Sequence, residues 1–252
     1  MFTPHTPSET EEMLKSIGAK SIEELFLDVP QKFRFPNLSL PKGISEMEAL
    51  AELNEFAGSN DTVKELLCFL GAGAYHHYIP AAVDSLLRRG EFYTAYTPYQ
   101  PEISQGTLQA IFEVQTLIAN LTGMEVCNAS HYDGATATAE AGVMAWHHFR
   151  GKRPKIILSS SVHPQYREVT CSYLNGFENI NIQTLGQDFS VPGNPTDLGN
   201  FVDKDTSMVM VQYLDFFGRI FDLSPLAQKV HEEGALLAVV TNPTALGLLK
   251  PP

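Results

Sequence analysis

Two runs in this chain, SMVMVQYL (207–214) and ALLAVVT (235–241), are apolar at almost every position. A strand with one wet face alternates polar and apolar residues, so runs without alternation must be covered on both faces, as interior strands of a parallel sheet between helices are. Two shorter strand-like runs, Lys155–Ser160 and Ile180–Leu185, come before them. Helical periodicity falls between the strands, at Pro164–Leu174 and Leu223–Glu233. The alternation predicts β-α-β units, hence a mostly parallel α/β sheet with helices on both faces and ligands at the carboxyl ends of its strands. Ahead of the sheet, Leu108, Ile111, Phe112, Gln115, Leu117, Ile118 and Leu121 mark a long amphipathic helix that Gly123 stops. A second helix is predicted from Gly134 through about Phe149.

The first sixty residues read differently. Three S-x-x-E patterns, at Ser8–Glu11, Ser21–Glu24 and Ser45–Glu48, are reciprocal helix-start signals. Pro30, Pro36 and Pro41 stiffen the segment from Val29 to Gly43 into extended chain. The division expected is a helical N-terminal arm over 1–60 and a large α/β domain over 61–252, with the arm lying across the main body or a partner. The run ALLAVVT is followed by little more than LLKPP, so the large domain is expected to be incomplete at its carboxyl end and without a smaller C-terminal domain.

Lys plus Arg number 17 against 29 Asp plus Glu, a formal charge of −12. Such a surface repels phosphate backbones and anionic membranes, so neither nucleic acid nor membrane is an expected partner. Cys68, Cys127 and Cys171 form no C-x-x-C pair, and the acidic, polar start is no signal peptide, which points to the cytoplasm. The adjacent histidines His76-His77 and His147-His148 point to different sides of the backbone, so no metal site is expected from them.

Four stretches carry chemistry-bearing residues. In SHYDGATAT (130–138) the small residues Gly134, Ala135 and Thr136 open a helix whose bared N–H groups can hold a phosphate; the same pattern also reads as a plain Asp133 cap with a close helix contact. The loop YTAYTPYQPEISQG (93–106) gathers Tyr96, Tyr99, Gln100, Glu102, Ser104 and Gln105 ahead of a helix, more polar functionality than a connection needs, unless its tyrosines are wedges. GAGAYHHYIP (71–80) lacks the spacing of a dinucleotide loop. SSSVHPQYR (159–167) places His163 at a strand's carboxyl end, where its ring can lie over a flat ligand or serve the core. No nucleophile elbow and no H-E-x-x-H motif is present.

Together with the His5-Thr-Pro start, the stretches FLGAGAYHHYIP, YTAYTPYQPEISQGTLQAIFEVQTLIANLTGMEVCNASHYDGATATAEA, SVHPQYREV and NPTALGLLKPP make the chain resemble the glycine dehydrogenase (decarboxylating) family, the P-protein of the glycine cleavage system, in its α-subunit (subunit 1) form. The resemblance spans essentially the whole chain. It implies the large domain of a pyridoxal-phosphate (PLP) enzyme of fold type I. It also implies glycine decarboxylation with transfer of the aminomethyl group to the lipoyl arm of H-protein, and a partner β subunit (subunit 2). In that fold the Schiff-base lysine follows the strand bearing the acid for the pyridine nitrogen; here that strand is ALLAVVT, the acid's place falls to Asn242, and Lys250 comes too soon. The resemblance therefore implies that PLP is held mainly by the β subunit, that Gly134, Ala135, Thr136, His163 and Asn242 mark a vestigial phosphate and ring site, and that the tyrosine-rich loop completes the partner's pocket around glycine. An independent PLP lyase or aminotransferase and a non-catalytic scaffold are the alternatives.

Overall fold

The computed structural model describes residues 5–71, 76–93, 97–186 and 193–251, except the side chains of 92 and 93. The chain divides into two units, Met1–Leu67 and Cys68–Pro252.

In the first unit, α1 (Pro7–Ser16) opens with a capping box, but on Thr6 and Glu9 where the sequence points to Ser8 and Glu11: Glu9 N donates to Thr6 Oγ1 and Thr6 N to the Glu9 carboxylate. Pro7 explains the shift, because its fixed φ favours the first helical position and draws the start back. Ser45 and Glu48 cap α2 (Glu46–Gly58) as their spacing predicts. At Ser21 only a 3-10 helix forms, Ile22–Phe26; Ser21 makes no capping bond, and Glu24 accepts from the backbone N of Lys20 instead. No described residue of this unit is buried.

The second unit holds the short helices α3 (Ala81–Leu87) and α4 (Gly90–Tyr93), then α5 (Gln105–Thr122), α6 (Gly134–His148), β1 (Lys155–Ser159), α7 (Pro164–Leu174), β2 (Asn181–Leu185), β3 (Thr206–Gln212), α8 (Ser224–Glu232) and β4 (Leu236–Val240). The four strands form one parallel sheet in the order β2-β1-β3-β4. The absence of alternation in the sequence has its structural counterpart in two separate cores. Ile156, Leu158, Met208 and Met210 turn to one face with Ala145 of α6 and Leu174 of α7. Ile157, Val209 and Val211 turn to the other with Leu226 and Val230 of α8. Adjacent residues on one strand thus belong to opposite cores, as period-2 geometry requires.

Gly142 lets α6 settle on this layer: a Cβ there would lie 2.8 Å from Leu174 Cδ1 and 3.1 Å from Met210 Cε. The run at 235–241, read as an interior strand, is the edge of the described sheet, with β4 half-buried and paired on one side only. Phe149, predicted to end α6, is its C-cap, and Gly123 ends α5 in the left-handed conformation.

Removing buried methylenes from β1 tests the two-core arrangement. Ile156→Ala is expected to destabilise the second unit by about 3 kcal/mol, read as a lowered midpoint of denaturant unfolding with unchanged slope.

Candidate functional site

The connection from β1 through α7 leads to β2 on one side, and that from β3 through α8 leads to β4 on the other. Between β1 and β3 the winding reverses, and at such a switch point the carboxyl ends of the strands open a crevice. A cavity of about 310 Å3 lies there. Gly134 contributes from the head of α6, His163 and Tyr166 from the start of α7, Gln212 from the end of β3, Phe216 from the turn beyond it, and Thr241 and Asn242 from the end of β4.

Each side chain is held by local geometry. His163 N-caps α7, its Nδ1 accepting from the Gln165 backbone N at 3.2 Å; in neutral histidine this puts the proton on Nε2. Its backbone N donates to Gln212 Oε1 at 2.8 Å, and Gln212 Nε2 donates to the Leu214 carbonyl at 3.1 Å, so one carboxamide ties the exits of β1 and β3 together. The His163 ring lies 4.9 Å from Tyr166, tilted by 32°, and 5.0 Å from Phe216 edge-on. Phe216 is fixed by the tight turn around Asp215, which is 1% exposed. One carboxylate oxygen accepts from the backbone N of Phe217 and Arg219; the other takes Arg219 Nε and Nη2 at 2.9 and 2.7 Å.

Gly134 is needed for close approach, since a Cβ there would lie 2.5 Å from Tyr166 Oη. Its neighbours Ala135 and Thr136 lie in the first turn of α6, and Thr136 is committed to the cap: its backbone N donates to Asp133 Oδ1 at 2.7 Å and its hydroxyl to the same oxygen at 2.8 Å. These bonds, the backbone one first, hold the Asp133 carboxyl below its ordinary range. Asn242 caps the 3-10 helix Pro243–Gly247, its Oδ1 accepting from the Thr244 backbone N at 3.0 Å and from the Thr244 hydroxyl.

No described residue of the tyrosine-rich loop lines this cavity. Tyr96 lies outside the described residues. Tyr99 is 81% exposed, and Gln100 and Glu102 are also exposed. Ser104 and Gln105, read as loop, are the N-cap and first residue of α5; the Leu108 backbone N bonds to the Ser104 carbonyl at 3.0 Å and so starts the helix earlier than Thr107. Ile103 of the same loop and Ser130 of the turn before α6 border a second cavity, of about 560 Å3, along α5. Among the described residues no three His, Cys, Asp or Glu side chains come together as metal ligands would. No helix among them is long and apolar enough to cross a membrane.

Gln212 and Phe216 carry no motif. The legible signal for the first is a lone polar residue closing an apolar strand run, SMVMVQ; Phe216 is placed by a turn that only the Asp215–Arg219 pair reveals.

A singly reversed parallel sheet with its cavity at the switch point, preceded by a long helix, is the large-domain architecture of fold type I PLP enzymes. A similar fold occurs in sphingosine-1-phosphate lyase of Burkholderia pseudomallei, with 18% identity over 84% of this chain and 50% of that one, and a TM-score of 0.57. A crystal structure of glycine decarboxylase (P-protein) of the glycine cleavage system, in inhibitor-bound form, superposes with a TM-score of 0.87 and 42% identity over all of this chain and 55% of that one. The family profile of the glycine cleavage system P-protein matches residues 1–252, and the chain belongs to that family. Proteins named probable glycine dehydrogenase (decarboxylating) subunit 1 from Thermomicrobium roseum and Desulforamulus reducens are each 49% identical over all of this chain and 56% of their own length. The chain thus spans a little over half the length of these relatives.

The cavity residues do not fit covalently held PLP. That group needs a lysine amine and a partner for its ring nitrogen, and its phosphate needs donors or positive charge. Among the described residues the lining offers no Lys, Arg, Asp or Glu. Lys250 borders a different cavity, with Tyr213 and Leu237. At α6 one of the first-turn donors, the Thr136 N–H, is held by the Asp133 carboxylate.

Two outcomes follow. Arg219→Leu strands the Asp215 carboxylate and is expected to cost about 3–5 kcal/mol by chemical denaturation, with Asp215→Leu/Arg219→Leu recovering part of the loss. The depressed Asp133 pKa means that the ionised cap stabilises α6 above the ordinary carboxyl range and is lost as pH falls through the folded value. Asp133→Asn, which still caps, is expected to match the parent at neutral pH and to show a shallower stability loss below about pH 4 in acid titrations.

Proposed function

We propose that this chain is a subunit of a PLP-dependent glycine decarboxylase, the P-protein of the glycine cleavage system, in which a partner subunit 2 (β) holds the cofactor. The observation that supports the reading is the cavity at the switch point: the fold is that of fold type I PLP enzymes, and no Lys, Arg, Asp or Glu stands among the described residues that line it. The PLP on the partner supplies the electron sink for loss of CO2 from glycine, and lipoylated H-protein takes up the aminomethyl group.

The contribution of this chain is the segment at 96–105. Tyr99, Gln100 and Glu102 stand exposed directly before α5, which supports a role at a neighbouring surface. The tyrosine rings exclude water, and the glutamate and glutamines orient the amine and carboxylate of glycine, so the bond to be broken is held in one alignment. The apolar residues of α5, among them Phe112 and Leu117, each 66% exposed, support association with another surface.

Glycine–bicarbonate exchange by the assembled enzyme with H-protein tests this reading. Tyr99→Phe and Glu102→Gln are expected to lower exchange about 10-fold or more, the scale of a lost positioning contact, while shifting the thermal midpoint of the complex little. Equal losses of rate and stability would make the loop structural. Exchange that needs no contribution from this chain would defeat the assignment.

A further inference from the structure

In two dipeptides of this chain, Asn175-Gly176 and Asp133-Gly134, a side-chain carbonyl carbon stands beside the backbone N of a glycine, the arrangement from which a five-membered succinimide ring closes. We infer that Asn175 is a modification site, at which the chain deamidates spontaneously to aspartate and isoaspartate, and that the cap made by Asp133 protects the second dipeptide from the equivalent isomerisation.

The reaction consumes only water. Hydroxide takes the Gly176 amide proton, the nitrogen attacks Asn175 Cγ, and the bond from Cγ to the side-chain nitrogen breaks with release of ammonia. Water then opens the ring. Opening at Cγ gives aspartate; opening at the backbone carbonyl leaves the chain running through the side chain, as isoaspartate. The net change is one carboxamide and one water converted to one carboxylic acid and one ammonia, with no change of oxidation state.

The end of α7 leaves this path open. Asn175 and Gly176 are both exposed. Asn175 is the C-cap of α7, at φ −60° and ψ −23°, and its carboxamide has no hydrogen-bond partner among the described residues. Ring closure takes it out of that right-handed conformation and opens the bond from the Phe177 backbone N to the Leu174 carbonyl at 3.0 Å; helix ends fray, so the opening stays local. Gly176 is not in the left-handed conformation for which glycine is usually kept after a helix, and a Cβ there would meet nothing within 4 Å. The backbone therefore does not require glycine at 176, and its effect is to leave the attacking nitrogen unshielded.

Asp133 differs at each point. Its Oδ1 accepts from the Thr136 backbone N and hydroxyl at 2.7 and 2.8 Å, and its carbonyl accepts from the Ala137 backbone N at 3.0 Å. Turning its side chain toward the Gly134 nitrogen would break the cap of α6. The same cap favours the ionised carboxylate, a poorer target for a nitrogen nucleophile than a carboxamide. At Asn175, by contrast, the product puts a carboxylate at the carbonyl end of α7, where the helix dipole disfavours it, and isoaspartate adds a methylene to the backbone leading to β2.

Ageing of the full chain within the assembled enzyme, in mildly alkaline buffer, followed by peptide mass spectrometry tests the inference. The peptide holding Asn175 is expected to gain about 1 Da, faster at higher pH. Enzymatic methylation of isoaspartate is expected to label that peptide and not the one holding Asp133. Gly176→Ala is expected to melt with the parent and to slow the gain about 10-fold or more by shielding the nitrogen. Asn175→Gln, whose ring would need six members, is an independent second variant with the same expected loss of reaction. No mass gain at this peptide, a gain that neither variant slows, or labelling at Asp133 equal to that at Asn175 would each overturn the inference.

Discussion

The structure depends on two central strands, β1 and β3, that have no wet face. With Ile156 and Leu158 committed to one core and Ile157 to the other, β1 is stable only if helices cover both sides. The crossings through α7 and α8 place them there, one on each face. Winding outward from β1 in both directions leaves β1 and β3 with connections that part company at their carboxyl ends, and the cavity is the space left between them. The location of the candidate site is therefore a consequence of apolar burial, decided before any polar residue is considered.

What the site can hold is decided by how its polar groups are already employed. The Gln212 carboxamide joins His163 to the exit of β3, the Asn242 oxygen closes the turn after β4, and the Asp133 carboxylate closes the head of α6. Half-buried Gln212 finds its partners at the neighbouring strand's exit and at Leu214, while the exposed Asp133 and Asn242 find theirs within three residues of themselves. The result, among the described residues, is an aromatic-walled space without Lys, Arg, Asp or Glu, in a fold whose relatives include PLP enzymes. On the proposed reading, the chain keeps the scaffold of a cofactor domain and its partner supplies the anchoring chemistry.

The sheet was legible because its signal is local: β1 to β4 lie within two residues of their expected bounds, and the turn at Gly134 was visible in its run of small residues. The meeting of Gly134, His163 and Asn242 at one cavity came through the family resemblance, since no spacing in the chain brings residues so far apart together. Other features depended on competition between neighbours. Pro7 outcompeted Ser8 for the start of α1, and the backbone of Ser104 began α5 within what reads as loop. Phe216 carries no signal at all, and Gln212 only that of a lone polar residue closing an apolar run, for a different reason. Their roles come from a buried ion pair and a cross-strand hydrogen bond, neither of which has a sequence pattern of its own.

The central claim is that this chain completes a pocket whose cofactor is anchored elsewhere. Borohydride reduction of the assembled, PLP-loaded enzyme, followed by peptide mass spectrometry, fixes the cofactor permanently to whichever lysine holds it. The account predicts a pyridoxyl tag on the partner subunit and none on any of the ten lysines of this chain. A tag at Lys250, or at any other lysine here, would contradict it.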